Sequence, residues 1–231
     1  MRQFLITAGN TRERIDDVRD WGNIFTGTTG FNIARALLPL GHVTLLTSNA
    51  QHIEKAHAVG ITTTRFQSHA DLMGILESLV PSQHFDAIFM TAAVADYAPS
   101  GAYAVQRRVK NVDGTETWIV RNAQAAKIKS NHETIAITGQ RTEKIVDRFR
   151  SQWAHRGLLV KFKLEVGIDA QELIAVGQAS RRASGAEYLI ANTLEMTTGQ
   201  NAGAYLLSDT GTEWIARDAL AARCAALCAS A

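Results

Sequence analysis

Short apolar runs alternate with amphipathic stretches along much of the chain. The run Phe4-Leu5-Ile6-Thr7-Ala8 is apolar and ends at Gly9, which predicts a buried strand. A polar connection covers residues 9–27, and apolar positions then recur at helical spacing over residues 30–38. The pattern therefore predicts one strand and one amphipathic helix, separated by a long polar loop.

The same alternation continues toward the C-terminus. Further strands are predicted at 42–47, 61–66, 87–92, 158–162 and 188–191, with helices at 50–58, from Ser68, at 142–153 and from Asp169. A closing hairpin at 204–208 and 213–215 precedes the last predicted helix. This order is typical of an α/β, Rossmann-like fold: a mostly parallel sheet with helices on both faces.

The alternation breaks after Tyr97. Two strand-like runs, 105–109 and 117–121, flank Asp113-Gly114, and these two residue types tolerate the positive φ of a hairpin turn. We therefore expect a protruding β-hairpin flap at about 101–123. A short strand is predicted at 135–137.

Length, charge and hydropathy argue against nucleic acid and membranes as partners. A length of 231 residues fits a single domain over 1–231, and 24 Lys+Arg against 22 Asp+Glu give a net charge of +2, too small to favour nucleic acid as a partner. No apolar run approaches the roughly 20 residues needed to span a bilayer, and the N-terminus shows no signal-peptide pattern. We expect a cytoplasmic protein with no membrane partner.

Cysteines and histidines give no sign of a transition-metal site. Cys224 and Cys228 share one helical face with apolar residues, which favours packing over redox chemistry. No histidine pair has zinc-ligand spacing. We expect no metal bound by the protein itself.

Candidate chemistry lies where the predicted strands end, because ligands bind open α/β sheets beyond the carboxyl ends of the strands. Residues 23–30 combine hydroxyls and glycines at a predicted helix N-terminus, which favours phosphate binding; a simple cap and turn is the alternative. An NAD(P)-dependent oxidoreductase is a competing interpretation. Its fingerprint requires glycines directly after strand one, whereas here they follow about twenty residues later, and Thr47-Ser48-Asn49 offers no acidic residue for a ribose.

Three other polar segments are candidates for ligand binding. Asp96 follows the small residues after strand 87–92 and could bind a ribose hydroxyl or a base, or cap a turn. Lys127 and Lys129 could bind a polyphosphate, or form a solvated pair. Residues 161–165 place charges at the end of an apolar strand, which suggests a site.

Seven segments follow one another along the chain: Ile6-Thr7-Ala8-Gly9-x-Thr11-Arg12-Glu13, Ile15-Asp16-x-Val18-Arg19, Asn23-x-x-Thr26-Gly27-x-x-Gly30, Ala92-Ala93-Val94-Ala95-Asp96-Tyr97, Lys127-Ile128-Lys129, Leu159-Val160-x-Phe162-Lys163-Leu164-Glu165 and Ile190-Ala191-Asn192. Together they resemble the motifs of the phosphopantothenate-cysteine ligase family. The resemblance implies a ligase in coenzyme A biosynthesis that forms an acyl-nucleotidylate from CTP or ATP with Mg²⁺. It implies the free-standing form without flavin, and a homodimer built through the flap.

The resemblance also implies roles for single residues. Asn23 and Lys127 would be catalytic, holding the acyl-nucleotidylate and the triphosphate. The nucleotide-binding residues would be Gly9, Thr11, Ala92, Ala93, Asp96, Lys127, Lys129 and Phe162. The phosphate of the acid substrate would lie on Thr26, Gly27 and Gly30.

Three positions depart from the family pattern. Asn10 stands where Pro or Gly is usual, and Phe25 replaces a Ser. Ser184 stands where a Lys near the nucleotide is expected, so either Arg181 or Arg182 compensates or the choice of nucleotide differs. These departures keep a third interpretation open, a non-catalytic nucleotide-binding relative, and the sequence leaves the choice between CTP and ATP undecided.

Overall fold

The computed structural model describes residues 1–199 and 202–229. The strands in these ranges are β1 (Arg2–Ala8), β2 (Arg12–Asp16), β3 (Arg19–Gly22), β4 (Gly41–Thr47), β5 (Thr62–Arg65), β6 (Ala87–Met90), β7 (Tyr97–Lys110), β8 (Glu116–Asn122), β9 (Ile135–Arg141), β10 (Leu158–Glu165), β11 (Tyr188–Thr193), β12 (Gly203–Leu207) and β13 (Thr212–Ala216). The helices are α1 (Thr28–Leu37), α2 (Ala50–His57), α3 (His69–Ser82), α4 (Arg148–Ser151), α5 (Ala170–Ala183) and α6 (Leu220–Ala229), with 3-10 turns at Leu38–Leu40, Ile145–Asp147 and Glu195–Thr197.

The central sheet has the strand order β13-β12-β11-β10-β6-β1-β4-β5. The strands from β11 to β5 run parallel, and β12 and β13 add an antiparallel edge. Along the chain, the parallel strands are added first to one side of β1 and then, from β6 onward, to the other. The Rossmann-like α/β prediction is thus confirmed, and the crevice of the switch point lies between β1 and β6.

Alternation along β1 divides the core between the two faces of the sheet. Phe4 and Ile6 pack into the cluster under α1 and α6, whereas Leu5 packs into the cluster under α3 and α4. Cys224 and Cys228 are buried in the first of these clusters, and burial raises their thiol pKa values to about 12 and about 11. Both thiols therefore stay protonated and act as packing groups, as the sequence predicts.

The connection at 9–27 contains an element that the sequence pattern did not reveal. Strands β2 and β3 pair as an antiparallel hairpin. The alternation in β2 is concealed because two of its buried positions, Glu13 and Asp16, are charged. Glu13 accepts a hydrogen bond from the backbone N of His69 (2.7 Å), so its burial is compensated.

The predicted helix at 142–153 is wrong in extent. Helix α4 covers only Arg148–Ser151, after the 3-10 turn Ile145–Asp147. Thr142 is held extended because its backbone N and its hydroxyl bond to the carbonyls of Asp96 (2.9 Å) and Ala95 (2.6 Å). Beyond the helix the chain turns at Ala154, whose φ is 51°.

The flap is confirmed as a hairpin and is part of a larger sheet. Strands β7 and β8 pair across a turn in which Gly114 has a φ of 84°. Strand β9, predicted only as a short segment at 135–137, pairs with the other side of β7. We call β8-β7-β9 the flap sheet. No helix in the described residues is long and apolar enough to cross a membrane.

Candidate functional site

A cleft of about 290 Å³ opens at the carboxyl ends of β1, β6, β10 and β11, and we call it the first cleft. Its floor is largely apolar, which suits a flat ring or an aliphatic chain. The lining residues that carry the following argument are Gly9, Thr26, Gly27, Gly30, Ala92, Ala93, Phe162, Lys163, Asn192 and Arg217. The first cleft is therefore lined by seven of the predicted nucleotide- and phosphate-binding residues.

The glycine loop, residues 23–30, lies directly on the end of β1. Gly27 is the N-cap of α1 with a φ of 84°, and a Cβ there would lie 2.1 Å from the backbone N of Gly9. A Cβ on Gly30 would lie 2.2 Å from Oγ1 of Thr91. Only glycine fits at either position, because backbone and side chains of β1 and β6 approach so closely.

The start of α1 is open to an anion. No side chain caps its first turn, and Thr28, Thr29 and Gly30 of that turn line the first cleft. Although the glycines follow β1 by about twenty residues in sequence, they return to its end because the β2–β3 hairpin loops out. In space they therefore occupy the position of a dinucleotide fingerprint, which sequence spacing alone did not indicate.

Asn23 lies beside the segment that follows β6. Its Nδ2 donates to the carbonyl O of Ala93 (3.3 Å), and its own carbonyl O accepts from Nδ2 of Asn10. The backbone N of Ala93 donates to the carbonyl O of Gly9 (2.9 Å). These bonds place Gly9, Asn23 and Ala93 next to one another.

Thr11 and Asp96 lie differently from the other predicted nucleotide-binding residues. Thr11 is fully buried, and its hydroxyl accepts from the backbone N of Ala95 (2.8 Å), so it supports the site from below. Asp96 is exposed at the start of the flap sheet and forms an ion pair with Nζ of Lys144 (2.5 Å). Neither residue lines the first cleft.

Lys127 and Lys129 are exposed on either side of a buried anchor, Ile128. Neither lysine side chain forms a hydrogen bond or ion pair with the described residues. Neither lines the first cleft of its own chain. Both amines are therefore free to meet an anion that approaches from outside.

The anchor is held by a buried carboxylate. Asp16 accepts from the backbone N of Ile128 (3.0 Å), while Nη2 of Arg19 donates to the carbonyl O of Ile128 (2.7 Å). The Asp16 side chain is inaccessible to solvent, and its hydrogen bonds from Arg19 hold its pKa far below the ordinary value in spite of that burial. The motif 15–19 thus positions the motif 127–129.

Strand β10 carries three charged residues, Lys161, Lys163 and Glu165, at alternate positions. Lys163 lines the first cleft and pairs with Glu165 (2.7 Å). Lys161 faces α5, where its Nζ donates to the carbonyl O (3.1 Å) and Oγ (3.0 Å) of Ser180, and burial lowers its pKa to about 8. Of these two lysines only Lys163 borders the candidate site.

The expectation that Ser184 lies near the nucleotide site is wrong for the first cleft. Ser184 is buried at the C-terminal end of α5, close to the start of β11, and its hydroxyl donates to the carbonyl O of Arg181 (3.0 Å). Arg181 is also buried, where it pairs with Asp209. Because the first cleft is at the opposite ends of the strands, neither Arg181 nor Arg182 replaces a lysine there.

The first cleft contains a cationic side chain, Arg217, that the sequence did not predict. Arg217 precedes α6, lines the cleft and donates to the carbonyl O of Thr197. A single arginine in a polar loop carries no sequence signal. The described residues contain no group of three or more His, Cys, Asp or Glu that could hold a metal ion.

Comparison with known proteins identifies the family of this fold. The profile of the DNA/pantothenate metabolism flavoprotein C-terminal domain matches residues 1–119. The chain belongs to this family. The match contains Asn23, the glycine loop and Asp96, whereas Lys127, Lys129 and Phe162 lie beyond it.

Curated relatives of this family member carry the name coenzyme A biosynthesis bifunctional protein CoaBC. The protein of Thermococcus kodakarensis is 27% identical over 196 residues, which are 84% of this chain and 42% of the relative. That of Mycobacterium tuberculosis H37Rv is 27% identical over 217 residues, 92% of this chain and 47% of the relative. The chain thus spans less than half the length of these relatives.

Solved structures share the family fold. The DNA/pantothenate metabolism flavoprotein from Streptococcus pneumoniae superposes with a TM-score of 0.79 at 22% identity, covering 100% of this chain and 99% of that one. A Cab2 variant in complex with phosphopantothenate-cysteine gives a TM-score of 0.67 at 16% identity, with 99% and 88% covered. At these identities the likeness concerns the fold.

Proposed function

We propose that this chain is a ligase that joins 4'-phosphopantothenate to cysteine at the expense of CTP or ATP, in coenzyme A biosynthesis. The observation that carries the proposal is the hydrogen bond from Asn23 to Ala93, a residue of the first cleft, which is also lined by the uncapped start of α1. The names of the CoaBC relatives and of the ligand in the Cab2 complex support the same substrates.

The proposed reaction has two steps. The carboxylate of phosphopantothenate attacks the α-phosphorus of the nucleotide, a P–O bond forms, and pyrophosphate leaves. The amine of cysteine then attacks the acyl carbon, loses a proton and expels the nucleoside monophosphate. Activation is needed because a carboxylate at neutral pH resists amines, and an anion attacks a triphosphate only when charge is screened.

We assign the residues as the geometry allows. The amide of Asn23 holds the acyl-nucleotidylate next to the backbone of Ala92 and Ala93, which contact the base or ribose, and Phe162 packs against the nucleotide. The first turn of α1, with Thr26, Gly27 and Gly30, binds phosphate through backbone N–H groups. Lys127 and Lys129 act on the triphosphate as mobile point charges.

Mg²⁺ enters this reaction as part of the nucleotide substrate. The described residues provide no acidic cluster for a resident ion, and the carboxylate of Asp96 already pairs with Lys144. Mg²⁺ commonly keeps several waters and binds through substrate phosphates, which fits a site of this kind. No flavin takes part in the proposed steps.

We also propose a homodimer in which the flap sheet reaches the partner's site. Strand β8 is exposed along its whole length and leaves an edge of the flap sheet open, with Trp118, Ile119 and Val120 between 40% and 47% exposed. Lys127 does not line the first cleft of its own chain. In a dimer, the lysines of one subunit would therefore lie at the first cleft of the other subunit.

One observation favours a second candidate. The glycine loop occupies in space the position of a dinucleotide fingerprint, as an NAD(P)-dependent oxidoreductase would require. At the end of β4, however, Ser48 is engaged with the backbone N of Asn10 (3.0 Å), and no acidic residue is there for a ribose. Quenching of nicotinamide fluorescence on addition of the protein would support this alternative.

The decisive experiment is pyrophosphate release from the purified protein with Mg²⁺ and phosphopantothenate, comparing CTP with ATP, with and without cysteine. We expect release that requires phosphopantothenate and falls at least about 100-fold in Asn23→Asp, because a carboxylate would repel the anhydride. Gln83→Glu makes the same amide-to-carboxylate change on an exposed side chain at the far end of α3 and serves as control. Nucleotide binding without release would instead support the non-catalytic relative, which the loss of a hydroxyl at Phe25 keeps open.

A further inference from the structure

A second cleft lies on the other side of the glycine loop. It has a volume of about 620 Å³ and opens at the carboxyl ends of β1, β4 and β5. Phe25 and Thr26 separate the two clefts and line both. Asn23 lies at its edge, so the second cleft leads to the position where the proposed anhydride forms.

The second cleft is positively charged. Arg12 and Arg65 line it, and none of its lining residues is an Asp or Glu. Both arginines are exposed, and neither guanidinium forms an ion pair or hydrogen bond with the described residues. Two uncompensated cations in one concavity attract an anion, and the planar fork of arginine matches phosphate oxygens.

The walls that carry these arginines are fixed by backbone bonds. The backbone N of Arg12 donates to the carbonyl O of Gln67 (2.8 Å), and Arg65 pairs with Thr47 at the end of β4. On the opposite wall Nδ2 of Asn49 donates to the carbonyl O of Thr26 (3.0 Å). The second cleft is therefore preformed, which reduces the entropy lost when a ligand binds.

The volumes of the two clefts favour separate places for the two phosphorylated substrates. Clefts that enclose a ligand of drug size hold about 300–1,000 Å³. The first cleft, at about 290 Å³, is at the lower end of this range, which favours a separate place for part of the second substrate. The second cleft is twice as large and reaches Asn23 from the other side.

We propose that the second cleft binds a phosphate group of one of the two phosphorylated substrates, with Arg12 and Arg65 as its cations. This inference rests on the proposed function, which requires two phosphorylated molecules to meet at Asn23. The polar lining disfavours an apolar ligand. The phosphate comes from the monoester of phosphopantothenate or from the nucleotide, and the two sources are separable by experiment.

The test measures KM for phosphopantothenate and for the nucleotide separately in Arg12→Gln, Arg65→Gln and the double variant. We expect KM for one substrate to rise about tenfold or more per arginine, since charged hydrogen bonds to phosphate are lost, while kcat changes less. The substrate whose KM rises is the source of the phosphate. Arg65→Lys, which keeps the charge, should recover part of the affinity.

Arg182→Gln is the matched control, because Arg182 is exposed at the C-terminal end of α5, far from both clefts. Unchanged KM values for both substrates in a folded, active double variant would overturn the proposal. Titration calorimetry with phosphopantothenate and with inorganic pyrophosphate separates this from failure of the ligase assignment. Wild-type protein that makes no product but binds one of these probes in an Arg12- and Arg65-dependent manner would reject the ligase and retain the site.

Discussion

At the scale of single residues, Asp16 connects parts of the site that are far apart in sequence. Its carboxylate is solvent-inaccessible and binds both the Arg19 side chain and the backbone of Ile128, 112 residues away. A buried charge of this kind is tolerated because it is fully hydrogen-bonded. Its neighbour Asp17 is exposed and pairs only with Arg14 at 3.5 Å.

This difference predicts the behaviour of a matched pair of variants. Asp16→Asn leaves Arg19 without its counter-charge and releases the 127–129 segment, so kcat/KM should fall about 10- to 100-fold, mainly through KM for the nucleotide. Asp17→Asn removes a surface pair of little worth and should leave both constants unchanged. Steady-state kinetics on both variants, with circular dichroism to verify folding, checks this. Equal kinetics in the two variants would show that the carboxylate does not position the lysines.

A single buried histidine, His52, should make the free energy of unfolding depend on pH. It stacks on Phe31 with ring centroids 4.8 Å apart, its Nδ1 is buried without a partner, and burial lowers its pKa from the ordinary 6.5. The unfolded chain therefore binds a proton below about pH 6.5 that the folded chain resists, so the free energy of unfolding falls as pH falls through that value. In His52→Leu this part of the slope should disappear. Denaturant titrations between pH 8 and 5 that give parallel curves for the two proteins would contradict the account.

At the scale of elements, the first turn of α1 depends on the close approach of the glycine loop to β1. Gly27 and Gly60 have nearly the same φ, 84° and 80°. A Cβ on Gly27 would collide with the backbone of Gly9, whereas a Cβ on Gly60 meets nothing within 4 Å. The two glycines therefore separate backbone strain from steric contact.

Alanine at each glycine tests that separation. Gly60→Ala should lower the free energy of unfolding by about 1–2 kcal/mol through strain alone. Gly27→Ala should lower it by about 3 kcal/mol or more and abolish phosphopantothenate binding, because the loop must move away from β1. Urea unfolding and phosphopantothenate titration measure both effects. If Gly27→Ala were no worse than Gly60→Ala, the glycine loop would not be in contact with β1.

Elements with apolar periodicity could be predicted from sequence, and those held by polar contacts could not. The strands of the parallel sheet and the N-caps Ser68 and Asp169 follow from local patterns. The β2–β3 hairpin was missed because its buried positions carry Glu13 and Asp16, whose partners are distant in sequence. The motifs of the site were recognisable by resemblance, but the second cleft was not, because Arg12 and Arg65 meet only in the folded sheet.

At the scale of the whole molecule, the proposed site combines the end of the central sheet with the segment that connects β8 to β9. The carboxyl ends of the strands form the two clefts, while Lys127 and Lys129 follow the flap and lie outside the first cleft. The open edge at β8 can pair with a strand of another copy of the chain or pack against its side chains. Assembly and activity are therefore expected to depend on each other.

Ile119→Lys tests this dependence, since Ile119 is 47% exposed in β8. We expect the wild-type chain to sediment as a dimer, and the variant as a monomer with little ligase activity, because a lysine on an edge strand opposes association. Val59→Lys is the control, an equally exposed apolar residue (44%) outside the flap sheet. Analytical ultracentrifugation and activity at matched concentrations decide; a fully active monomer would contradict the shared site.

The most direct test of the central claim follows an oxygen atom. Phosphopantothenate labelled with ¹⁸O in its carboxylate is incubated with the protein, Mg²⁺, the nucleotide and cysteine, and the products are analysed by mass spectrometry. Attack on the α-phosphorus predicts one ¹⁸O in the nucleoside monophosphate and none in pyrophosphate. Label in inorganic phosphate, released together with a nucleoside diphosphate, would show activation at the γ-phosphorus and contradict the proposed chemistry.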